Sequence, residues 1–131
     1  MIWRLAHDNM LKFDLIVPVP TTFRKFRLRG YNPPGLLACE LARLLNVPQE
    51  HNMLKARPGK GQKGKNRAQR IQARKDAFFV HPGWELENEN ILLVDDVVTT
   101  GATAQACALT LKSAGAGRVY VVALARGDDG Q

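Results

Sequence analysis

Residues 91–103 read ILLVDDVVTTGAT, which is an apolar run, two acids, and a turn with threonines around one glycine. The unbroken apolar run 91–94 is typical of a parallel strand covered on both faces, and it predicts a strand that ends at Asp95 and Asp96. Gly101 allows the main chain to turn tightly and lets other groups approach it closely. The stretch therefore predicts a buried strand that leads through a short loop into a helix.

The sequence that follows predicts this helix and a further strand. The helix is expected over about residues 103–114, with Gly115 at the position where helices commonly end. Three small or apolar residues are predicted to share the face that approaches the sheet: Ala102, Ala106 and Leu109. Residues 119–124 form another unbroken apolar run. Strand, helix and strand together predict a right-handed βαβ unit with parallel strands.

The first half of the chain predicts another strand and helix. Residues 15–19 are an apolar run interrupted and closed by prolines. A helix is expected to begin after Asn32 as its cap and to end at Asn46. Its apolar face is predicted to contain Leu37, Leu41, Leu44 and Leu45. With a short strand at residues 77–80, the whole chain predicts an α/β fold with a Rossmann-like, mainly parallel sheet flanked by helices.

A basic segment without apolar periodicity separates these two halves. No acid occurs in residues 55–75, and glycine and lysine alternate through the first part of this run. This composition is typical of a mobile loop, and a loop of this length inside a compact domain usually has a function. We therefore predict a flexible basic loop over about residues 57–75.

Length and composition restrict the class of protein. The 131 residues have the length of one domain, so a single domain over residues 1–131 is predicted. The net charge of +7 favours phosphates, phosphorylated sugars or nucleic acid as partners. No apolar run reaches the roughly 20 residues of a membrane span, and Asp8 makes the start a poor signal peptide, so a cytoplasmic location is expected. Cys39 and Cys107 lie in apolar helical patterns and are expected to be buried, with no zinc site made by this chain alone.

The loop after the acids has the composition of an anion site. Main-chain N–H groups at the start of a helix bind phosphate, and threonine hydroxyls add donors. Carboxylates accept hydrogen bonds from vicinal hydroxyls or help to hold a magnesium-bound ligand. An anion loop beside two acids, at the carboxyl edge of a parallel sheet, matches a ribose 5-phosphate. The predicted site consists of Asp95, Asp96, Thr99, Thr100, Gly101, Ala102 and Thr103.

This run resembles the motif with which type I phosphoribosyltransferases bind 5-phosphoribosyl-1-pyrophosphate (PRPP). Within that superfamily, the chain resembles the ComF/GntX family over nearly its whole length. The segment DLIVPVP at residues 14–20 is similar to the first strand of the family, and RGYN at residues 29–32 is similar to its Arg-Gly-aromatic-Asn signature. The basic segment is similar through Arg67 and Arg70. No zinc ribbon of the kind found in many members is expected in this chain.

The resemblance implies a type I phosphoribosyltransferase fold and a role for each group of residues. Asp95 and Asp96 would contact the ribose hydroxyls, and residues 99–103 would wrap the 5-phosphate. The pyrophosphate side would be formed by Pro20, Thr21, Arg67 and Arg70. Mg²⁺ would arrive bound to pyrophosphate oxygens, without a metal-binding cage from the protein, and the basic loop would close over the site. The chain departs from the family pattern outside the PRPP motif, at Pro33, Lys65, Ala73 and Asp76.

Three functions stay open on the sequence. The first is an enzyme that transfers a 5-phosphoribosyl group with release of pyrophosphate; His51, His81 and His7 are the histidines available to it, and none is a compelling general base. The second is a non-catalytic PRPP-binding or DNA-uptake (competence) protein that contacts single-stranded DNA through basic loops. The third is an interaction module that has lost PRPP binding. The sequence also leaves open whether the chain forms a homodimer.

Overall fold

The computed structural model describes residues 12–20, 33–57, 66, 68–69, 76–98 and 101–127. Seven helices and strands follow one another within these ranges: β1 (Leu15–Pro18), α1 (Pro33–Leu45), β2 (Leu54–Ala56), β3 (Phe78–Val80), β4 (Ile91–Val98), α2 (Ala102–Ser113) and β5 (Val119–Arg126). The predicted α/β class with a parallel sheet is confirmed. The predicted cap Asn32 and the rest of the RGYN segment lie outside the described residues.

The central strand of the parallel sheet is β4, which lies between β1 and β5. Asp14 fixes the register at the amino end of the sheet, because its N–H donates to Asn90 O at 2.8 Å and its carboxylate accepts the Asn90 N–H at 2.8 Å. On the other side of β1, Ile16 forms a parallel bridge with Gln49. The strand that carries the two acids is therefore flanked by neighbours on both sides.

Alternation of side chains along β4 divides the apolar core between two faces of the sheet. On the α1 face, the buried core consists of Ile16, Ala38, Leu92 and Val94. On the α2 face, buried residues of the sheet and of α2 include Leu15, Val17, Ile91, Leu93, Cys107 and Leu111. Both faces of β4 are thus covered by a helix, which is why residues 91–94 are apolar without alternation.

The predicted apolar faces of the two helices are partly wrong. In α1, Leu37, Leu41 and Leu45 pack on the sheet as expected, but Leu44 is 50% exposed. In α2, the buried residues are Ala104, Cys107 and Leu111, whereas Leu109 is 52% exposed. The predicted stripe had helical spacing but the wrong rotation about the helix axis, because several stripes of small residues are available in α2.

The strands β4 and β5 are longer than their apolar runs. β4 was expected to end at Asp95 and Asp96, but it continues to Val98, which pairs with Arg126 of β5. Main-chain hydrogen bonds hold the ladder, and they are indifferent to the polarity of the side chains. The last of them joins Gly127 N–H to Val98 O at 2.9 Å. The acids are therefore held on a strand and not on a loop.

The helix ends agree with the sequence. Asn46 has a φ of 56° directly after α1, and Gly115 has a φ of 113° two residues after α2. Both are left-handed conformations that end a helix. Within the part of the chain that the structure describes, no helix has the length and apolar character needed to cross a membrane.

The strands β2 and β3 form an antiparallel pair outside the main sheet, with Leu54 opposite Val80. Met53 and Leu54 are buried in the same cluster as Cys107 and Leu111, so this pair packs on the α2 face. The predicted basic loop connects the two strands. Apart from residues 66, 68 and 69, its residues 58–75 lie outside the described ranges.

Candidate functional site

The carboxyl end of β1 lies beside the residue of β4 that precedes its two acids. Pro18 pairs with Val94, and the Val19 N–H donates to Val94 O at 2.8 Å. Pro20 therefore follows β1 at the same edge of the sheet at which Asp95 follows Val94. Ligands bind at this edge in open parallel sheets, because the loops that leave it can surround them.

The two acids lie on opposite faces of β4. Asp95 continues the α2 face and is 9% exposed, whereas Asp96 lies on the α1 face and is half-buried. Asp95 Oδ1 accepts the Asp96 N–H at 2.8 Å. The sequence could not distinguish the two carboxylates, but the structure makes Asp96 the more accessible of them.

The start of α2 has features of an anion site. Gly101 precedes the helix with φ 83° and ψ 1°, a conformation that side chains with a Cβ rarely adopt. Its carbonyl accepts the Gln105 N–H at 2.8 Å, which begins the helix. The N-cap residue Gly101 has no side chain of its own, and the first turn contains no acid to compensate the positive end of the helix. Thr103 is exposed in that first turn, as its predicted contact with phosphate requires.

Five other predicted site residues lie outside the described residues: Thr21, Arg67, Arg70, Thr99 and Thr100. The structure thus brings Pro20, Asp95, Asp96 and the Gly101 turn to one edge of the sheet. The positions of the other predicted residues stay predictions.

Comparison with known proteins agrees with this geometry. No family model matches the chain. The chain is 36% identical to Competence protein F of Haemophilus influenzae over 116 residues, which are 86% of the chain and 50% of that protein. It is 31% identical to Competence protein ComFC of Bacillus subtilis over 104 residues, or 79% of the chain and 40% of that protein. The chain therefore spans half or less of the length of these curated relatives.

Solved structures show the same fold. A purine phosphoribosyltransferase from Pyrococcus horikoshii superimposes with a TM-score of 0.62 at 20% identity, over 95% of this chain and 70% of that one. The glutamine PRPP amidotransferase of B. subtilis gives 0.62 at 20% identity, over 93% of this chain and 24% of that one. These matches agree with the predicted resemblance to the ComF/GntX family, and the fold is that of the type I phosphoribosyltransferases.

The two histidines that the structure describes make local contacts. His51 is exposed, and its Nε2 lies beside Gln49 Oε1 and 3.6 Å from Cys39 Sγ. His81 is exposed and its Nδ1 accepts the Gly83 N–H at 3.2 Å. Neither contact involves a residue of the predicted site, so the structure gives no support to a catalytic histidine among residues 51 and 81. His7 lies outside the described residues.

Cys107 lies near Asp95, the first acid of the candidate site, and the sequence did not connect the two. Cys107 is fully buried on the α2 face, and both its burial and the nearby Asp95 charge raise its pKa to about 12. Desolvation is the larger cause, since it penalises the thiolate. The thiol therefore stays neutral, and Asp95 has an uncharged neighbour on the helix side. Cys39, which was also expected to be buried, is exposed on α1.

The two cysteines are expected to differ sharply in their reactivity. With an aromatic disulfide reagent at pH 8, we expect one fast thiol in the folded protein and a second only after denaturation. The reason is that the thiolate is the nucleophile and that Cys107 is both buried and protonated. The absorbance of the released aromatic thiolate gives the number of cysteines that have reacted. Cys39→Ser should remove the fast phase. Two fast thiols in the native wild-type protein would contradict the burial of Cys107.

Proposed function

We propose that the chain binds PRPP at the carboxyl edge of β4, with the 5-phosphate at the start of α2. One observation carries the proposal. The central strand delivers an accessible acid, Asp96, to the same edge at which α2 begins after the Gly101 turn, with no acid in its first turn. The anion and the sugar hydroxyls of a phosphorylated ribose need these two environments next to each other.

The main-chain amides of the Gly101–Thr103 turn and the Thr103 hydroxyl would hold the 5-phosphate, together with Thr99 and Thr100. Asp96 would accept hydrogen bonds from the ribose hydroxyls. Asp95 would join it from the other face of the strand through the exposed part of its carboxylate. Because Asp95 is largely covered, we assign the larger share of sugar binding to Asp96.

The pyrophosphate side would lie toward Pro20, which the Val19–Val94 hydrogen bond holds next to the acids. Thr21 and the basic residues Arg67 and Arg70 would complete it. Mg²⁺ would be supplied with the pyrophosphate and would neutralise part of its charge. The carboxylate oxygens of Asp95 and Asp96 are of the type that Mg²⁺ prefers, so these residues suit a magnesium-bound ligand.

The chemistry we propose is transfer of the 5-phosphoribosyl group. A nucleophile attacks C1 of the ribose, the bond from C1 to the pyrophosphate oxygen breaks, and pyrophosphate leaves with the electron pair. The protein would contribute by positioning the ribose and by stabilising the separated charges, since no described residue is placed as a general base. Release of pyrophosphate from Mg-PRPP with a panel of nucleobases and amines as acceptors tests this step.

A role in handling single-stranded DNA is the second candidate. Two relatives are named as competence proteins, and the net charge of +7 with an acid-free run at residues 55–75 suits a polyanion. Such a protein would keep the PRPP pocket, to sense PRPP or without any use of it, and would not catalyse the transfer. The two candidates differ in whether the chain binds single-stranded DNA and in whether it releases pyrophosphate from PRPP.

Calorimetric titration with Mg-PRPP, ribose 5-phosphate and a single-stranded oligonucleotide separates them. We expect heat from Mg-PRPP and from ribose 5-phosphate. Asp96→Asn should weaken both by about 10- to 100-fold, because hydrogen bonds to a charged group contribute roughly 1.5–3 kcal/mol. This variant keeps the size of the side chain, and an unchanged thermal midpoint would show that its fold is intact. Heat from the oligonucleotide alone would favour the second candidate, and no heat from either sugar phosphate would refute PRPP binding.

A further inference from the structure

Leu124 lies beside Asp96 at the edge of the sheet that carries the candidate site. In the parallel ladder Asp95 pairs with Ala123, so the next residue of β5, Leu124, lies opposite Asp96. Side chains alternate along both strands, which places Leu124 and Asp96 on the same face, the one covered by α1. Leu124 is nevertheless 73% exposed. An exposed apolar side chain is therefore the neighbour of the acid that we assign to the ribose hydroxyls.

Arg126 extends this surface toward the end of β5. It follows Leu124 by two residues, so its side chain leaves the strand on the same face, and it pairs with Val98 at the end of the ladder. It is also exposed. A single exposed leucine is ordinary on a protein surface. A leucine and a guanidinium in succession, next to a candidate sugar-binding acid, offer both an apolar contact and hydrogen-bond donors to a ligand.

The order of the strands decides on which side of Asp96 this surface lies. β4 is between β1 and β5, and the chain leaves β1 through Pro20. The proposed function puts the pyrophosphate of PRPP on the β1 side, toward Pro20. A nucleophile that displaces a group directly from the anomeric carbon of a sugar approaches from the face opposite to the leaving group. The acceptor would therefore approach from the β5 side, which is the side of Leu124 and Arg126.

We propose that Leu124 and Arg126 form the acceptor side of the site, and that the acceptor is a planar heterocycle with a carbonyl oxygen. This inference rests on the proposed function and names the class of its second substrate. One face of the ring packs on Leu124, and the guanidinium of Arg126 donates to the ring oxygen. A ring nitrogen forms the bond to C1, pyrophosphate leaves with the electron pair of the broken C1–O bond, and the proton of that nitrogen passes to water.

Nucleotides that resemble the product test the acceptor side without turnover. Ribose 5-phosphate fills the phosphate and sugar positions only, and inosine 5′-monophosphate adds a ring with a carbonyl oxygen at C1. Adenosine 5′-monophosphate has an amino group in place of that oxygen. We expect wild type to bind the inosine nucleotide about tenfold more tightly than ribose 5-phosphate, because the ring and Leu124 bury apolar surface together and Arg126 forms a hydrogen bond. Calorimetry measures all three affinities.

Leu124→Ser tests the apolar contact. It should weaken binding of the inosine nucleotide by about fivefold through the lost apolar area, and leave ribose 5-phosphate unchanged. Val121→Ser is the matched control, because Val121 is 44% exposed on the same strand but pairs with Leu93 on the α2 face. This control should bind every ligand as wild type does. A thermal midpoint well above the assay temperature shows that each variant is folded.

Arg126→Met tests the contact with the ring oxygen. It should weaken binding of the inosine nucleotide by about tenfold and of the adenosine nucleotide by less than about twofold, because only the former loses a hydrogen bond to a charged group. Arg118→Met, directly before the start of β5, is the control for the lost charge. Equal weakening of all three ligands by Arg126→Met would overturn the contact with the oxygen in favour of general attraction to phosphate.

Two further outcomes separate this inference from the proposed function. If wild type bound the inosine nucleotide no better than ribose 5-phosphate, or if Leu124→Ser bound it as well as wild type does, the acceptor surface would be refuted while PRPP binding stood. If wild type bound neither ribose 5-phosphate nor the nucleotides, the proposed function would be refuted, and the acceptor surface with it.

Discussion

Gly101→Val is expected to weaken binding of Mg-PRPP and of ribose 5-phosphate by roughly 100-fold. Gly101 has a φ of 83°, and a Cβ built there meets nothing within 4 Å, so the constraint is conformational and not steric. A left-handed residue with a Cβ costs about 1–2 kcal/mol, and a β-branched side chain fits that region worse. If the turn instead relaxes to a negative φ, the amides at the start of α2 no longer converge on the phosphate. Losing a charge-assisted hydrogen bond adds about 1.5–3 kcal/mol, and each 1.4 kcal/mol is tenfold in affinity.

Calorimetry of both ligands and a thermal unfolding curve measure this effect. Gly83→Ala is the matched control, because a Cβ there would lie 3.5 Å from His81 Nδ1, an ordinary contact distance, and far along the chain from the site. Gly101→Ala should fall between the control and the valine variant. Equal affinity of wild type and Gly101→Val for ribose 5-phosphate would show that the phosphate does not lie at this turn.

The candidate site stays a prediction, and the sequence indicated its residues but not their orientation. Two adjacent acids after an apolar run, followed by a threonine–glycine turn, indicated where to expect it, and Gly101 has the left-handed conformation that suits this turn. The sequence did not show that Asp95 and Asp96 face opposite sides, because the strand was expected to end at these two residues. Continuation of β4 to Val98 depends on its ladder with β5, which is a contact between segments distant in sequence.

The errors at helix faces have a similar origin. Leu44 and Leu109 fit helical periodicity, yet both are about half exposed. A helix rich in alanine and leucine offers several stripes with the correct spacing, and the sheet that it packs on decides which one is buried. Cys39 shows the same limit, since its neighbours in sequence are apolar while its place on α1 faces solvent. The hydrogen bond from Arg57 to Asp76 O also joins residues that are distant in sequence, and a pattern of local residues does not reveal it.

Among glycine-to-alanine substitutions in the described residues outside the candidate site, Gly115→Ala is expected to destabilise the protein most. A Cβ at this position would lie 2.3 Å from the main-chain oxygen of Leu86, and the φ of 113° is unfavourable for any residue with a side chain. The oxygen cannot easily move away, because Asn88 N–H donates to Gly115 O at 2.8 Å and fixes the same stretch of chain against the end of α2. Overpacking costs roughly 1–3 kcal/mol and left-handed strain about 1–2 kcal/mol.

We therefore expect the free energy of unfolding to fall by about 3 kcal/mol, and the thermal midpoint to fall by roughly 10 °C for a chain of this size. Denaturant unfolding followed by circular dichroism gives the free energy, with Gly83→Ala as the control that should change it by less than about 0.5 kcal/mol. Because Gly115 lies at the opposite end of α2 from Gly101, the part of the variant that stays folded should bind ribose 5-phosphate with wild-type affinity. A loss of affinity in Gly115→Ala at a temperature well below its midpoint would mean that stability and the anion site are coupled through α2. If Gly115→Ala were as stable as the control, this would contradict the close packing of the Leu86 main chain against the end of α2.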